Sequence, residues 1–340
     1  MIQVSGGRAL VRSTLRGRTP PRPPLIPFVH SLAARLAQIS TRAMAHDPTL
    51  MANSLAQAQA LFGYDAITVG FDETVAAEAC GCKVEWAEDR PQVCSHLWKE
   101  ANVPEAHAVA QRGRVPVVVE VVRRLRSILG ETAALIGVVQ GPWTLACHLY
   151  GPDFSRDWAG DAPDPADCLA LASRVGVTIA RLFGEARVDA LLVMESSRLP
   201  GTAVARSGDR PQQLNVLRGT YRPLWNVARF YNAPGILVLR EHQPAGLAEL
   251  TALGATALAL GQVGHAADEA WPNARVVPGR AISAAALAGS PTTVAAAIDK
   301  VASSAPASPW FLTTEWEVPT DTPPENLHAA VAAVRAFDSR

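Results

Sequence analysis

The sequence carries no surplus of either charge: Lys+Arg and Asp+Glu both number 31. A basic stripe for nucleic acid is therefore not expected, and no block of one sign marks a charged tail. No apolar run approaches the ~20 residues needed to span a bilayer, so no membrane role is expected. Cysteine is sparse, with five scattered residues at Cys80, Cys82, Cys94, Cys147 and Cys168. An odd count in a large chain without a secretory pattern argues against a disulfide framework and for a reducing, cytoplasmic setting. Cys80-Gly81-Cys82 lacks the spacing of zinc-ribbon pairs. Phosphate loops are missing too: no G-x-G-x-x-G follows a strand, and no Walker sequence occurs. Glu195-Ser196-Ser197 lacks the flanking glycines of a nucleophile elbow, which excludes the usual serine-hydrolase arrangement.

What remains is a chain of 340 residues, 49% apolar, in which short apolar runs alternate with longer Ala/Leu-rich segments. Strands are expected at Pro24–Val29, Ala66–Gly70, Ala134–Val139, Ala190–Met194, Gly235–Leu239, Ala255–Leu260, Arg275–Pro278 and Trp310–Thr314. Helical spacing fills most intervals, for example Pro48–Phe62, Pro211–Phe230 and Pro291–Ser303, the last with Ser290 as cap and proline just inside. Eight strands alternating with helices predict a single (β/α)8 TIM barrel, and their continuous apolar character fits parallel strands buried on both faces. Residues 1–20 are expected to form an N-terminal arm and 21–340 the barrel. A long insertion between strands 2 and 3, about Cys82–Glu131 and broken by Pro91, Pro104 and Pro116, is expected to wall or cover the site.

Residues just past the strands of such a barrel converge on one mouth. They are His30, Ser31 and Arg35; Asp72 and Glu73; Gln140, Trp143 and His148; Glu195, Ser196 and Arg198; Arg240, Glu241 and His242; Gln262 and His265; Arg280; and Glu315, Trp316 and Glu317. Carboxylates, imidazoles and guanidinia without a lone nucleophile suit acid–base chemistry. Histidine with glutamate also suits a divalent metal, and Glu195, Glu241, His242 and Glu315 form the candidate set.

Several stretches resemble the uroporphyrinogen decarboxylase superfamily, which holds the porphyrin-pathway decarboxylase and cobamide-linked methyltransferases. They are Phe62-Gly-Tyr-Asp-Ala-Ile-Thr-Val-Gly-Phe-Asp72, Ala77-Glu-Ala-Cys-Gly81, Gly137-Val-Val-Gln-Gly-Pro-Trp-Thr-Leu145 and Val318-Pro-Thr-Asp-Thr-Pro-Pro-Glu-Asn326. The opening Gly17-Arg-Thr-Pro-Pro-Arg-Pro-Pro-Leu-Ile-Pro27 is closer to the methyltransferase branch. The resemblance puts Asp72 at the decarboxylase's central aspartate, which holds pyrrole nitrogens, and Ser196 at a substrate-contacting serine. Arg35 matches the second arginine of the N-terminal motif, where Ser31 stands for the first. His148 replaces a tyrosine and Trp316 a histidine. In the methyltransferase branch, zinc is held by His-x-Cys after strand 5 and Cys after strand 8. Here those positions read Arg240-Glu241-His242 and Trp316.

The leading expectation is a lyase, decarboxylating or otherwise cleaving a small organic substrate other than uroporphyrinogen. Asp72, His148 and His242 would be catalytic, and His30, Arg35, Gln140, Ser196, Arg240 and Trp316 would bind substrate. A lyase needs no cofactor. The alternatives are C1 transfer with a corrinoid protein as partner, which brings in a divalent metal such as zinc, and a catalytically silent binding barrel. A homodimer is left open.

Overall fold

The computed structural model describes residues 6–98, 104–159, 163–199, 210–241, 246–261, 271, 273–305 and 309–339. The strands are β1 (Leu25–Phe28), β2 (Ala66–Val69), β3 (Val84–Ala87), β4 (Arg90–Val93), β5 (Ala134–Gln140), β6 (Ala190–Glu195), β7 (Gly235–Leu239), β8 (Ala257–Leu260), β9 (Val277–Ile282) and β10 (Phe311–Glu317). Eight of them form one parallel sheet in the order β1-β10-β9-β8-β7-β6-β5-β2. The ends of that order meet: Asp65 N–H donates to the Leu25 carbonyl at 3.0 Å, and Leu25 N–H donates to Asp65 Oδ2 at 2.8 Å. The result is the expected (β/α)8 barrel, with its helices outside.

Strand periodicity divides the core in two. Ile26, Phe28, Ile136, Val138, Leu192, Met194, Ile236 and Val238 fill the barrel interior. The residues between them, such as Ile67, Leu135, Leu191, Val193, Leu237 and Leu258, pack outward against the helices. Residues Gly7–Leu15 form a helix whose Val11 and Leu15 join the interior cluster, with Gly7 N–H bonded to Thr132 just ahead of β5. The N-terminal end of the barrel is thus packed with apolar side chains, leaving the carboxyl ends for chemistry.

Two strand boundaries differ from expectation, and both matter to the site. β9 begins at Val277 and runs to Ile282, so Arg280 sits within a strand and is buried rather than standing at its end. β10 extends to Glu317, so Glu315 and Trp316 also belong to a strand. Against β1, Ile26 pairs with Thr313 but Phe28 pairs with Glu317, leaving two extra residues in β10. The bulge is pinned by Thr314, whose hydroxyl donates to the Trp316 carbonyl at 2.6 Å while accepting from Phe28 N–H at 3.1 Å. Bulges re-aim side chains, and this one brings Trp316 against the interior cluster.

The insertion carries a small antiparallel hairpin, β3–β4, whose two turn residues Glu88 and Asp89 both have positive φ. That is the signature of a type I′ turn, which matches the twist of paired strands. Asp89 earns its strained position by accepting from Thr41 N–H and from Arg42 N–H (2.9 Å), the start of helix Thr41–His46. The hairpin is therefore tied down against the mouth. None of the described helices is long and apolar enough to cross a membrane.

Candidate active site

A cavity of about 390 Å³ opens at the carboxyl ends of the strands. β1 and the turn after it contribute His30 and Ser31, and the turn after β2 contributes Phe71, Asp72 and Glu73. Met194 of β6, Arg240 after β7, and Trp316 and Glu317 of β10 complete the floor. Arg90, Pro91 and Gln92 of the hairpin form one wall, so the insertion does line the site.

Asp72 is buried and its carboxylate is largely committed. Oδ1 accepts from Thr74 N–H (2.8 Å) and the Thr74 hydroxyl (2.7 Å), and Oδ2 accepts from Arg114 Nη1. Arg114 is itself buried, donates to Glu78 at 2.7 Å, and lies with its guanidinium carbon 5.3 Å from the Trp86 ring centre. Burial pushes the Asp72 carboxyl up. Arg114 and the Thr74 hydrogen bonds more than offset this and hold it below the usual carboxylate range.

Glu195 stands elsewhere. It falls on the outward-facing side of β6, alternating with Met194, and is fully buried beneath helix Pro142–Tyr150. It accepts from Trp143 N–H (3.1 Å), Thr144 N–H (2.7 Å), the Thr144 hydroxyl (2.6 Å) and the Tyr221 hydroxyl. It thus satisfies the first free amides of a helix, where negative charge is favoured. Burial pushes its carboxyl up to about 7, against the pull of those donors. Gly141 is required beside it: a Cβ there would lie 2.1 Å from the Glu195 carboxyl carbon.

The expected metal set is therefore not brought together. Glu195 faces the helices, and Glu315 accepts from Ala284 N–H at 3.0 Å at the start of helix Ala284–Ala288. Glu241 is exposed, and His242 lies outside the described residues, as do Gln262 and His265. Among the described residues no three His, Cys, Asp or Glu side chains are grouped as a metal site. Nor do the positions implied by the methyltransferase resemblance fit zinc: the Arg240 guanidinium carbon lies 5.6 Å from the Trp316 ring centre, a cation on an indole in place of two ligands.

The other expected residues divide. His30 and Trp316 line the cavity, and Arg240 does so as an exposed cation. Arg35 donates to the Thr320 carbonyl and is not part of the lining. Ser196 donates its N–H to the Thr144 hydroxyl at 3.0 Å and also lies off the lining. Gln140 and His148 are not in the lining and pair with each other, Gln140 Nε2 donating to His148 Nδ1 at 2.8 Å. Burial holds the His148 imidazole below the usual histidine value, with Glu73 and Asp72 pulling the other way. Arg114, Arg90 and Tyr221 were missed from sequence. Arg114 and Arg90 lie within the insertion, away from any barrel-strand end, and Tyr221 lies deep in a helix.

The family model described as uroporphyrinogen decarboxylase (URO-D) matches residues 8–337. The chain belongs to the uroporphyrinogen decarboxylase family. A methyltransferase from Methanosarcina mazei superposes with TM-score 0.85 at 20% identity, covering 98% of this chain and 99% of that one, so the two share a fold. Curated relatives include the methylated-thiol–coenzyme M methyltransferase of Methanosarcina mazei, 28% identical over 170 residues (49% of this chain, 46% of the relative). The uroporphyrinogen decarboxylase of Rhodospirillum rubrum is 29% identical over 127 residues, 36% of each chain. The chain matches about half the length, or less, of these curated relatives.

Proposed function

We propose that this URO-D family protein is a C1-transfer enzyme, moving a methyl group between a small organic substrate and a corrinoid carried by a partner protein. The observation that carries the choice over decarboxylation is the state of Asp72. The resemblance gives the decarboxylase's aspartate the task of holding pyrrole nitrogens. Here both oxygens already accept hydrogen bonds, and the charge is neutralised by a buried Arg114. A neutralised carboxylate is a poor receptor for a cluster of N–H groups. The similarity to the coenzyme M methyltransferases of Methanosarcina supports the same reading.

Methyl transfer asks little covalent work of the protein. The methyl group passes as a cation equivalent: its bond to the donor breaks with the electron pair staying on the donor, and the acceptor's pair forms the new bond. Alignment of donor and acceptor is then the main contribution, and it is what the floor of a rigid barrel supplies. If the acceptor arrives protonated, its proton must leave. Glu73 lines the cavity with Oε2 buried and without a donor, so it is the group that takes that proton. His148, whose imidazole burial pushes down while the Glu73 charge pulls it up, is a second group that can pass a proton.

The test sets the two reactions side by side. Purified protein is incubated with methylcobalamin and a panel of acceptors, and separately with uroporphyrinogen, following corrinoid absorbance and released carbon dioxide. Protein-dependent loss of the cobalt–methyl band with no carbon dioxide supports C1 transfer. Carbon dioxide release without corrinoid turnover refutes it.

A further inference from the structure

Resting on the reading that this cavity is the reacting site, we propose that its substrate is a small organic acid, with its carboxylate held by Arg240 and its flat apolar body laid on Phe71 and Trp316. Phe71 stacks on Phe28 at 4.6 Å and 18°, and meets Trp316 in an edge-type contact at 5.2 Å and 62°. Both Phe71 and Trp316 line the cavity, so its floor includes a fixed apolar surface. Arg240 stands beside it with its guanidinium over the Trp316 indole. Stacking uses the face of a guanidinium and leaves the in-plane N–H fork free, the geometry that grips a carboxylate with two parallel hydrogen bonds. Neither Arg240 nor Arg90, which reaches the cavity from the hairpin, forms an ion pair with any described residue.

The negative groups of the lining do not compete for them. Asp72 is paired with Arg114, and Glu317 accepts from Ser31 N–H. Glu73 is the exception, and it lies on the His148 side, where a proton is to be handled. His30 adds an independent sign of a ligand. It is 4% exposed, lines the cavity, and neither ring nitrogen has a partner. A buried imidazole normally finds a hydrogen bond, and a bound polar group would supply it. The cavity therefore combines guanidinia without an ion pair among the described residues, an apolar floor and a carboxylate oxygen without a donor, a set that suits an acid whose reacting atom is not its carboxylate.

Titration of the full chain with three ring-shaped probes, followed by calorimetry, tests this. Benzoate carries the carboxylate, benzamide is its neutral counterpart, and benzenesulfonate carries a different oxyanion. Saturable benzoate binding at millimolar concentration is expected, with benzamide at least about 10-fold weaker. Arg240→Gln should weaken benzoate about 10- to 100-fold and leave benzamide unchanged, and Arg240→Lys should restore only part of the loss. Because Arg240 is exposed, its melting curve should match wild type; Trp316→Leu, which removes the stacking surface, gives a second route to the same loss. Equal affinity for benzoate and benzamide, no effect of Arg240→Gln, no benzoate binding at millimolar concentration, or a 10-fold preference for benzenesulfonate would each overturn the assignment. Corrinoid turnover with failed benzoate selectivity removes this inference alone. Benzoate selectivity without corrinoid turnover removes the C1-transfer reading alone.

Discussion

Replacing Arg114 by Met isolates the pair that sets the character of Asp72. Arg114 is buried, donates to Asp72, Thr74 and Glu78, and covers the Trp86 ring. Met fills much of the volume but leaves the buried Asp72 carboxylate without its counter-charge. Removing one partner of a buried pair costs about 3–5 kcal/mol. For a chain of this size, unfolding entropy near 2 cal/mol/K per residue turns that into a melting temperature lowered by roughly 4–7 °C. The Asp72 carboxyl lies below its ordinary value in the folded protein. The stability the pair contributes is therefore full above the unfolded-state value and lost as pH falls through the lower folded one. Thermal melts of wild type, Arg114→Met, Asp72→Asn and the double variant, at neutral and acid pH, measure this. The double variant should lose clearly less than the sum of the singles, and the wild-type advantage over Arg114→Met should shrink in acid. A melt unchanged by Arg114→Met, or strictly additive losses, would refute the reasoning.

Other outcomes follow from the same geometry. Glu195→Ala leaves four buried donors without their acceptor and should cost at least ~3 kcal/mol in chemical denaturation. Because the folded-state Glu195 carboxyl is raised to about 7, the wild-type advantage over Glu195→Gln is full below the unfolded value near 4.5 and falls as pH rises to about 7, by roughly 3 kcal/mol. Gly141→Ala drives a methyl into that carboxyl and should destabilise by ~1–3 kcal/mol, measured in the same melts. Glu73→Gln removes a charge that raises the His148 imidazole, so an NMR titration should show its value falling further. Metal analysis after dialysis should find less than equimolar zinc, and added zinc should leave methyl transfer unchanged.

The barrel was legible because its strands read as eight apolar runs at regular intervals, and the insertion's place as a wall because it interrupts the βα alternation, but the β3–β4 hairpin within it was not read. The mouth residues His30, Asp72, Glu73, Arg240 and Trp316 followed from the strand ends alone. Glu195 was misplaced with the mouth although strand alternation contained the answer: Met194 points inward, so its neighbour points out. Arg280 was misplaced because β9 runs four residues past Pro278, where glycine and arginine disguise a strand. The partner of Asp72 was not legible at all. Arg114 lies 42 residues away, and only the folded insertion brings the two together.

The most direct measurement is the single-turnover rate of methyl transfer from methylcobalamin, in wild type and in Glu73→Gln, with fold integrity checked by melting. The account predicts transfer in wild type and a loss of about 10²- to 10⁴-fold in the variant when the acceptor must give up a proton. An unchanged rate in Glu73→Gln, or no transfer by the wild-type protein with any acceptor, would contradict it.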